Sequence, residues 1–392
     1  MAEQLTNLDD LSPLALAPFD AVVNSFEQLV SQSDRAFLIG AGCSKCAGLP
    51  LTTELTDLVI HKISGTTKEI LERLVADFAG ADSATIEEFM SDLVDKIAIG
   101  SRRVEQGATQ AGTMIGGKQF AVEELARALD EIKEAIADCI EQKTVDIGTH
   151  WRFIRAVHRV LRTGKRSALR PVDYLVLNYD SLIEDALALE CLMYGDGFSG
   201  GATGWWDTSS YFEDNLAARV LKLHGSIDWS LFEDEVNPRR LRGGLNQSAN
   251  IPRKRLLIWP AATKYRETER DPFAQIAKIM REALRPNVNS YVVLTICGYR
   301  FGDSHINAEL HAALRESKKR LTLLVFTGDD QPQGILRLWH ENPDLRDQVR
   351  IHAKKGFFHT SDTLSNVDLP WWKFEVLARL LGGKDDSGQT QS

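Results

Sequence analysis

The sequence predicts an α/β fold, a doubly wound parallel sheet with an inserted helical module. From residue 172 onward, short apolar runs alternate with helical patterns, which is typical of parallel strands buried on both faces. The block 55–150 has helical periodicity instead, which indicates the inserted module. The chain has 392 residues, of which 43% are hydrophobic and 26% charged, as expected for a globular protein with a sizeable core.

The first strand is the apolar run 36–39, which ends in a glycine turn. A helix is expected shortly after the turn, with Thr52 or Thr53 as its N-cap. A strand, a glycine turn and a helix together can hold a phosphate, because glycines allow close backbone approach and a helix N-terminus carries partial positive charge. The residues of this candidate phosphate site are Gly40, Ala41, Gly42 and Ser44.

Cys43 and Cys46 lie inside this turn and raise three alternatives: half of a zinc site, a redox pair, or small side chains that fill a crowded turn. A structural zinc site usually needs four ligands, and the chain has no second C-x-x-C. The five cysteines are odd in number and scattered, so they predict no disulfide framework and suit a reducing compartment. We expect no metal and interpret both cysteines as filling residues.

The remaining elements follow from periodicity. Amphipathic helices are predicted at 68–79, 84–99 and 120–142. Strands are predicted at 172–178, 219–225, 255–260, 290–298, 321–326 and 348–353. With the first strand these give six or seven parallel strands, whose ligand crevice should lie at their carboxyl ends. We predict a single domain over residues 1–392, with the insertion at 55–150 and a disordered tail at 383–392.

Polar residues lie at the carboxyl ends of several of these strands. Asn178 and Asp180 lie at the end of one predicted strand, His224 and Ser226 at the end of another, and Tyr299 directly after a third. Each has an ordinary structural interpretation, since an Asp here is often a helix cap and a lone histidine is more often structural than catalytic. Their convergence at one edge of the sheet nevertheless predicts a functional site there.

Four segments, in this order, resemble motifs of the sirtuin-like family: GAGCSKCAGLP, LNYDSLIEDAL, LHGSIDW and GYRFGDSHIN. More narrowly, they resemble its bacterial branch that degrades NAD⁺ in defence against phage. The segments lie between residues 40 and 307, and the resemblance extends over residues 36 to about 330, which is most of the chain. The resemblance implies a Rossmann-like sheet with a smaller helical module and NAD⁺ as the ligand and substrate.

The resemblance also implies the site residues. The catalytic residues would be Asn178, Asp180 and His224. The residues that contact the dinucleotide would be Gly40, Ala41, Gly42, Ser44, Ser226, Gly298 and Tyr299. Protein-deacylating sirtuins carry a four-cysteine zinc module, whereas the segment 226–255 contains no cysteine, and Arg300 replaces a frequent serine. The segment 48–52 also lacks the Pro-Asp-Phe-Arg-like sequence of those enzymes, so we expect an activity other than deacylation.

The expected function is that of an NAD⁺ glycohydrolase, which releases nicotinamide and ADP-ribose and depletes cellular NAD⁺ in anti-phage defence. A non-catalytic sensor of NAD⁺ or ADP-ribose is the first alternative, and an NAD-dependent protein-modifying enzyme is the second. The resemblance implies a homo-oligomer or an ATPase partner of the HerA type.

Net charge and hydropathy limit which other partners the sequence predicts. The net charge of −9 argues against broad nucleic-acid binding. The basic loop 239–255 has three interpretations: a lid over the site, a contact surface for DNA or a partner protein, or a solvated segment. No apolar run approaches the roughly 20 residues of a membrane span. The acidic N-terminal segment does not resemble a signal peptide, so a cytoplasmic location is expected.

Overall fold

The computed structural model describes residues 10–32, 34–78, 84–107, 112–159, 170–233, 235–242, 253–257, 271–287 and 290–382. The predicted tail, 383–392, lies outside the described residues. Within these ranges, no helix has the length and apolar character needed to cross a membrane.

A nine-stranded sheet forms the centre of the molecule, with its strands in the order 363–364, 356–358, 349–353, 321–327, 292–297, 34–39, 172–176, 218–222 and 194–195. Numbered along the chain, they are β1 Asp34–Ile39, β4 Val172–Val176, β5 Tyr194–Gly195, β8 Ala218–Lys222, β12 Val292–Cys297, β13 Leu321–Thr327, β14 Val349–Ala353, β15 Gly356–Phe358 and β16 Thr363–Leu364. The strands from β14 to β5 pair in parallel, and β15 and β16 add an antiparallel edge. The predicted parallel sheet is confirmed.

Helices cover both faces of this sheet. The helices are α1 Phe19–Gln32, α2 Thr52–Lys62, α3 Gly65–Asp77, α4 Ile86–Glu105, α5 Val122–Glu141, α6 Gly148–Arg159, α7 Leu182–Leu189, α8 Phe273–Ala283, α9 Ser304–Glu316, α10 Gly334–Glu341 and α11 Phe374–Gly382. In β1, Ala36 and Leu38 pack in one apolar core with residues of α8, α9 and α10, whereas Phe37 and Ile39 pack in another with residues of α1, α6, α7 and α11. Alternate side chains of a strand point to opposite faces, so this division confirms the doubly wound α/β arrangement.

A second, five-stranded antiparallel sheet was not predicted. Its strands are β6 Phe198–Gly200, β7 Thr203–Trp206, β9 Gly225–Phe232, β10 Arg239–Leu241 and β11 Arg253–Leu257, in the order β11-β9-β10-β7-β6. The prediction of 255–260 as a parallel strand was wrong, because β11 pairs antiparallel with β9, and 258–260 lies outside the described residues. Exposed Lys254 next to buried Arg255 shows the alternation of a strand with one solvated face.

The helices α2 to α5 pack around a third apolar core, which includes Val59, Leu71, Leu93 and Ile136 and extends to Leu257 of β11. A hairpin of β2, Thr113–Ile115, and β3, Lys118–Phe120, packs with them. The predicted N-cap was wrong by one residue or more, since α2 begins at Thr52 and its N-cap is Leu51, whose N–H donates to Glu54 Oε2 at 3.0 Å. The proposed boundaries, 55–150 for the module and 1–392 for a single domain, stay predictions.

Candidate functional site

The strands that carry the predicted site residues are neighbours in the main sheet. The turn 40–44 follows β1, Asn178 and Asp180 follow β4, His224 follows β8, and Gly298 follows β12. These strands are consecutive in the order β12-β1-β4-β8, and all of them are parallel. Neighbouring strands lie about 4.8 Å apart, so the four carboxyl ends form one edge roughly 15 Å long.

The glycine turn packs directly against the loop after β12. A Cβ on Gly298 would lie 2.5 Å from the Cys43 nitrogen, and a Cβ on Gly42 would lie 2.8 Å from the Gly298 Cα. Gly298 also has a φ of 68°, a conformation that favours glycine. Glycines at these positions therefore allow the two loops to touch backbone to backbone.

The turn uses most of its N–H groups internally. Gly40 and Gly42 donate to the carbonyls of Cys297 and Gly298, both at 3.0 Å. Cys43 and Ser44 donate to carbonyls of the turn itself, at 2.9 and 3.1 Å. Short 3₁₀ turns at Ala41–Cys43 and Lys45–Ala47 follow the strand, so the α-helical N-terminus comes only at Thr52. In this conformation those four N–H groups are occupied, and the phosphate cradle stays a prediction.

The turn contributes the Ser44 hydroxyl to a buried network. Asn178 Nδ2 donates to Ser44 Oγ at 2.6 Å, and Ser44 Oγ donates to Asp180 Oδ2 at 2.7 Å. Asp180 Oδ1 accepts the Leu182 N–H at 3.1 Å, at the start of α7. All three polar residues are buried. The N-cap of α7 is Ser181, so Asp180 is not the cap itself; one of its carboxylate oxygens makes a local turn contact, while the other joins the predicted site residues.

A second buried pair lies at the end of β8. His224 Nε2 is 3.0 Å from Asp303 Oδ2, and both side chains are buried. Asp303 is also the N-cap of α9, where its Oδ1 accepts the His305 N–H at 3.0 Å. The predicted residue Tyr299 donates its hydroxyl to the Asp303 carbonyl at 3.1 Å and accepts the Asp303 N–H at 3.2 Å.

Asp303 was missed as a site residue. The segment GDSHIN shows a cap signal, an Asp before an apolar-periodic helix, but nothing in it indicates a histidine 79 positions earlier. A pair of this kind orients an imidazole and stabilises its protonated form when it accepts a proton.

Ser226 has a structural contact in this conformation. Its hydroxyl donates to the Tyr179 carbonyl at 3.1 Å, and the Ile227 N–H donates to the same carbonyl at 3.0 Å. These bonds join the start of β9 to the loop that carries Asn178 and Asp180. Contact between Ser226 and a dinucleotide stays a prediction.

A small cavity lies beside His224. It encloses about 20 Å³ and is lined mainly by apolar side chains of α8, with His305 and Ile306 of α9 on another side. This is room for about one water molecule.

The basic side chains of this loop that the structure describes, at positions 239, 240, 242, 254 and 255, form ion pairs with carboxylates of the same chain. Arg240 pairs with Asp196, and Arg242 Nε lies 2.6 Å from Asp228 Oδ2. Arg255 Nε lies 3.1 Å from Glu134 Oε2. Arg239 and Lys254 also form ion pairs. These side chains therefore support the fold, and those at 240 and 255 are buried.

The sequence contains two Trp-Trp pairs, at 205–206 and 371–372, and their side chains have different environments. Trp206 and Trp371 are buried in the two main cores, whereas Trp205 is half exposed. Cys43 is buried and its thiol donates to the Cys297 carbonyl, with Sγ and O 3.2 Å apart, as expected of a filling residue. Burial raises the pKa of the Cys46 thiol to about 12, which makes a reactive thiolate unfavourable at neutral pH.

Comparison with known proteins identifies the region that contains most of this site. Residues 173–346 match the family model of the SIR2-like domain, and no curated protein matches the chain. Solved structures that match include a mutant Sir2 homologue in complex with ADP-ribose, at 10% identity and a TM-score of 0.40, covering 91% of this chain and 94% of that chain. The family match contains Asn178, Asp180, His224 and Asp303, and the glycine turn precedes it. Residues 173–346 of this chain are therefore similar to the SIR2-like domain.

Proposed function

We propose that the protein is an NAD⁺ glycohydrolase whose site is the edge formed by β12, β1, β4 and β8. The SIR2-like domain supports an NAD-related activity. One observation carries the proposal: the carboxamide oxygen of Asn178 is buried and has no hydrogen-bond partner among the described residues. A buried acceptor of this kind is costly unless a ligand satisfies it, and a ribose hydroxyl or a water molecule would do so.

The reaction breaks the bond between the nicotinamide nitrogen and the ribose C1′. Water supplies the new C1′–O bond, the bonding electrons leave with nicotinamide, and the products are nicotinamide, ADP-ribose and one proton. The leaving group is already cationic, so no strong general acid is needed. Positioning of the water, stabilisation of positive charge on the ribose and acceptance of a proton are the remaining tasks.

The buried residues suit these three tasks. Asn178 would orient the water or a ribose hydroxyl through its unsatisfied oxygen. Asp180, held by Ser44, would place a carboxylate near the developing positive charge. His224 would accept the proton, and Asp303 would stabilise the imidazolium that results.

We propose further that the activity depletes NAD⁺ in defence against phage and is restrained until it is triggered, through a homo-oligomer or an ATPase partner. The sequence motifs support the defence role.

Release of nicotinamide and ADP-ribose from NAD⁺ by the purified full-length chain tests the proposal. We expect His224→Ala to lower kcat by about 10²–10⁴-fold, as for loss of a general base. The control is His61→Ala, because His61 is exposed on α2. Equal turnover by His224→Ala and wild type would contradict the assignment of His224.

The second candidate is a sensor that binds NAD⁺ or ADP-ribose without turnover, because the unsatisfied Asn178 oxygen could equally accept a hydrogen bond from a bound ribose. Calorimetric binding of NAD⁺ with no nicotinamide release, with and without the partner ATPase, would favour the sensor over the hydrolase.

A further inference from the structure

A buried lysine lies next to the candidate site. Lys222 is the last residue of β8, two positions before His224, and is 1% exposed. Its Nζ donates to the backbone carbonyl of Asp180. Burial of an ammonium group destabilises the fold unless the group is paired and hydrogen-bonded. The hydrogen bond to the Asp180 carbonyl therefore offsets part of this destabilisation.

A second acceptor lies near the same ammonium. Glu184 Oε1, on α7, is 3.8 Å from Lys222 Nζ, and Glu184 Oε2 has no hydrogen-bond partner in the described parts of the chain. Burial raises the pKa of Glu184 to about 7, against the opposing effects of Lys222 and Arg242. Near neutral pH this carboxyl group therefore exists in both protonation states.

Several charged and titratable side chains surround Glu184, so its protonation state changes the local charge balance. Burial raises the pKa of Asp228, but Arg242 outweighs this and holds it below the usual value. Arg242 also lies 3.2 Å from Asp185 Oδ1. The charged and titratable groups near Glu184 are Lys222 on β8, Asp228 on β9, Arg242 after β10, Asp185 on α7, Asp180 after β4, and the phenols of Tyr194 and Tyr211.

These groups include two cations, Lys222 and Arg242, and three carboxyl groups besides Glu184, those of Asp180, Asp185 and Asp228. Ionisation of Glu184 adds a further negative charge directly beside Lys222. The ammonium would then be drawn from the neutral Asp180 carbonyl toward the Glu184 carboxylate, because a charged acceptor binds it more strongly.

We propose that Lys222 is a positioning residue that holds the Asn178–Asp180 segment through the Asp180 carbonyl, and that ionised Glu184 weakens this hold by competing for the same ammonium. The kinetic part of this inference rests on the proposed function. The structural part does not, since it concerns contacts within the chain.

Two readouts test the inference on the full-length chain. The first is amide hydrogen exchange, corrected for intrinsic rates, in peptides that contain Leu182 and Ile227. Their N–H groups bond Asp180 Oδ1 and the Tyr179 carbonyl, and thus report on the segment. The remote strand β13 is the internal reference. The second is kcat and KM for nicotinamide release from NAD⁺ between pH 6 and 8.

Lys222→Met should increase exchange at both reporter amides at least about threefold without changing β13, and should lower kcat about tenfold with little change in KM. Lys254→Met is the control, because Lys254 is exposed and pairs with Asp130 on α5. If Lys222→Met does not fold, Glu184→Gln carries the test. As the pH rises from 6 to 8, Glu184 ionises in wild type and weakens the hold of Lys222, whereas the variant does not change. The ratio of wild-type to Glu184→Gln kcat should therefore fall with rising pH, and the ratio of wild-type to variant exchange rates should rise.

Reporter exchange equal to wild type in Lys222→Met, or ratios independent of pH for Glu184→Gln, would overturn the inference. If wild type released no nicotinamide while the exchange rates still changed as expected, the proposed function would fail and the positioning role would stand. If wild type turned over NAD⁺ while the variants matched it in both readouts, the positioning role would fail alone.

Discussion

At the scale of single residues, the candidate site consists of two clusters of buried polar side chains, and each cluster joins residues that are far apart in the sequence. Ser44, Asn178 and Asp180 form one network, and His224 with Asp303 forms the other. In both groups the side chains are held by hydrogen bonds from neighbouring loops. This preorganisation is what positioning of a reacting water or ribose requires.

Asp303 should matter both for stability and for turnover. Asp303→Ala removes the N-cap of α9 and the partner of buried His224, so we expect a loss of about 1–3 kcal/mol in unfolding free energy. Urea denaturation measures this loss. Asp303→Asn should retain much of the cap but lower kcat for NAD⁺ hydrolysis about 10²-fold, because His224 loses its orienting carboxylate. A kcat for Asp303→Asn equal to wild type would refute the orienting role.

Gly298 should tolerate no side chain. Gly298→Ala would place a Cβ 2.5 Å from the Cys43 nitrogen at a φ of 68°, so we expect a destabilisation of at least about 1–2 kcal/mol. Gly302→Ala, in the same loop, is the control, because a Cβ there has no heavy atom within 4 Å. Similar melting temperatures for the two variants would show that the loops can separate at little cost.

At the scale of elements, α7 places a carboxyl group where the fold opposes its ionisation. Burial raises the pKa of Glu184 from 4.5 to about 7. Between these values the folded chain binds a proton that the unfolded chain has lost. The free energy of unfolding should therefore fall as the pH rises through this window. Outside the window Glu184 binds the same number of protons in both states, so it adds little pH dependence there.

Glu184→Gln should remove this pH dependence. The shift from 4.5 to about 7 corresponds to a loss of wild-type stability on the order of 3 kcal/mol across the window. The variant should thus gain stability relative to wild type as the pH rises from 5 to 8, as measured by urea unfolding at each pH. The exposed Glu72→Gln on α3 is the control. A pH-independent difference between Glu184→Gln and wild type would contradict the burial of an ionisable carboxyl group.

Sequence reasoning succeeded for elements whose signal is local. The run 36–39 and its glycine turn, and the polar residues after β4 and β8, follow from continuous apolar segments that end abruptly. The second sheet was missed because its strands are short and are held by pairing distant in sequence, such as β11 with β9. The pairs His224 with Asp303 and Lys222 with Asp180 are likewise products of the tertiary fold.

At the scale of the whole molecule, a buried arginine joins the helical module to the second sheet. Arg255 of β11 bonds Glu134 and Glu141 of α5 and the Ile227 carbonyl of β9. Burial raises the pKa of Glu141, and Arg255 opposes that rise. The basic residues that the sequence suggested as a surface for partners thus include one that holds two parts of the molecule together.

Arg255→Met should loosen this contact. The variant leaves two carboxylates and a carbonyl without their partner, so we expect a loss of about 1–3 kcal/mol in stability and faster hydrogen exchange in α5. Lys254→Met, which removes the neighbouring exposed ion pair with Asp130, should lower the free energy of unfolding by at most about 1 kcal/mol. Equal effects of the two variants would show that burial of Arg255 adds nothing to the attachment.

The central claim is that the edge formed by four neighbouring strands hydrolyses NAD⁺, and Asn178 tests it most directly. We would measure nicotinamide release from saturating NAD⁺ by wild type, Asn178→Ala and the distant control Asn342→Ala, with folding checked by circular dichroism. The account predicts turnover by wild type and the control, and a kcat about 10²–10³-fold lower for Asn178→Ala. Undiminished turnover by a folded Asn178→Ala protein would contradict it.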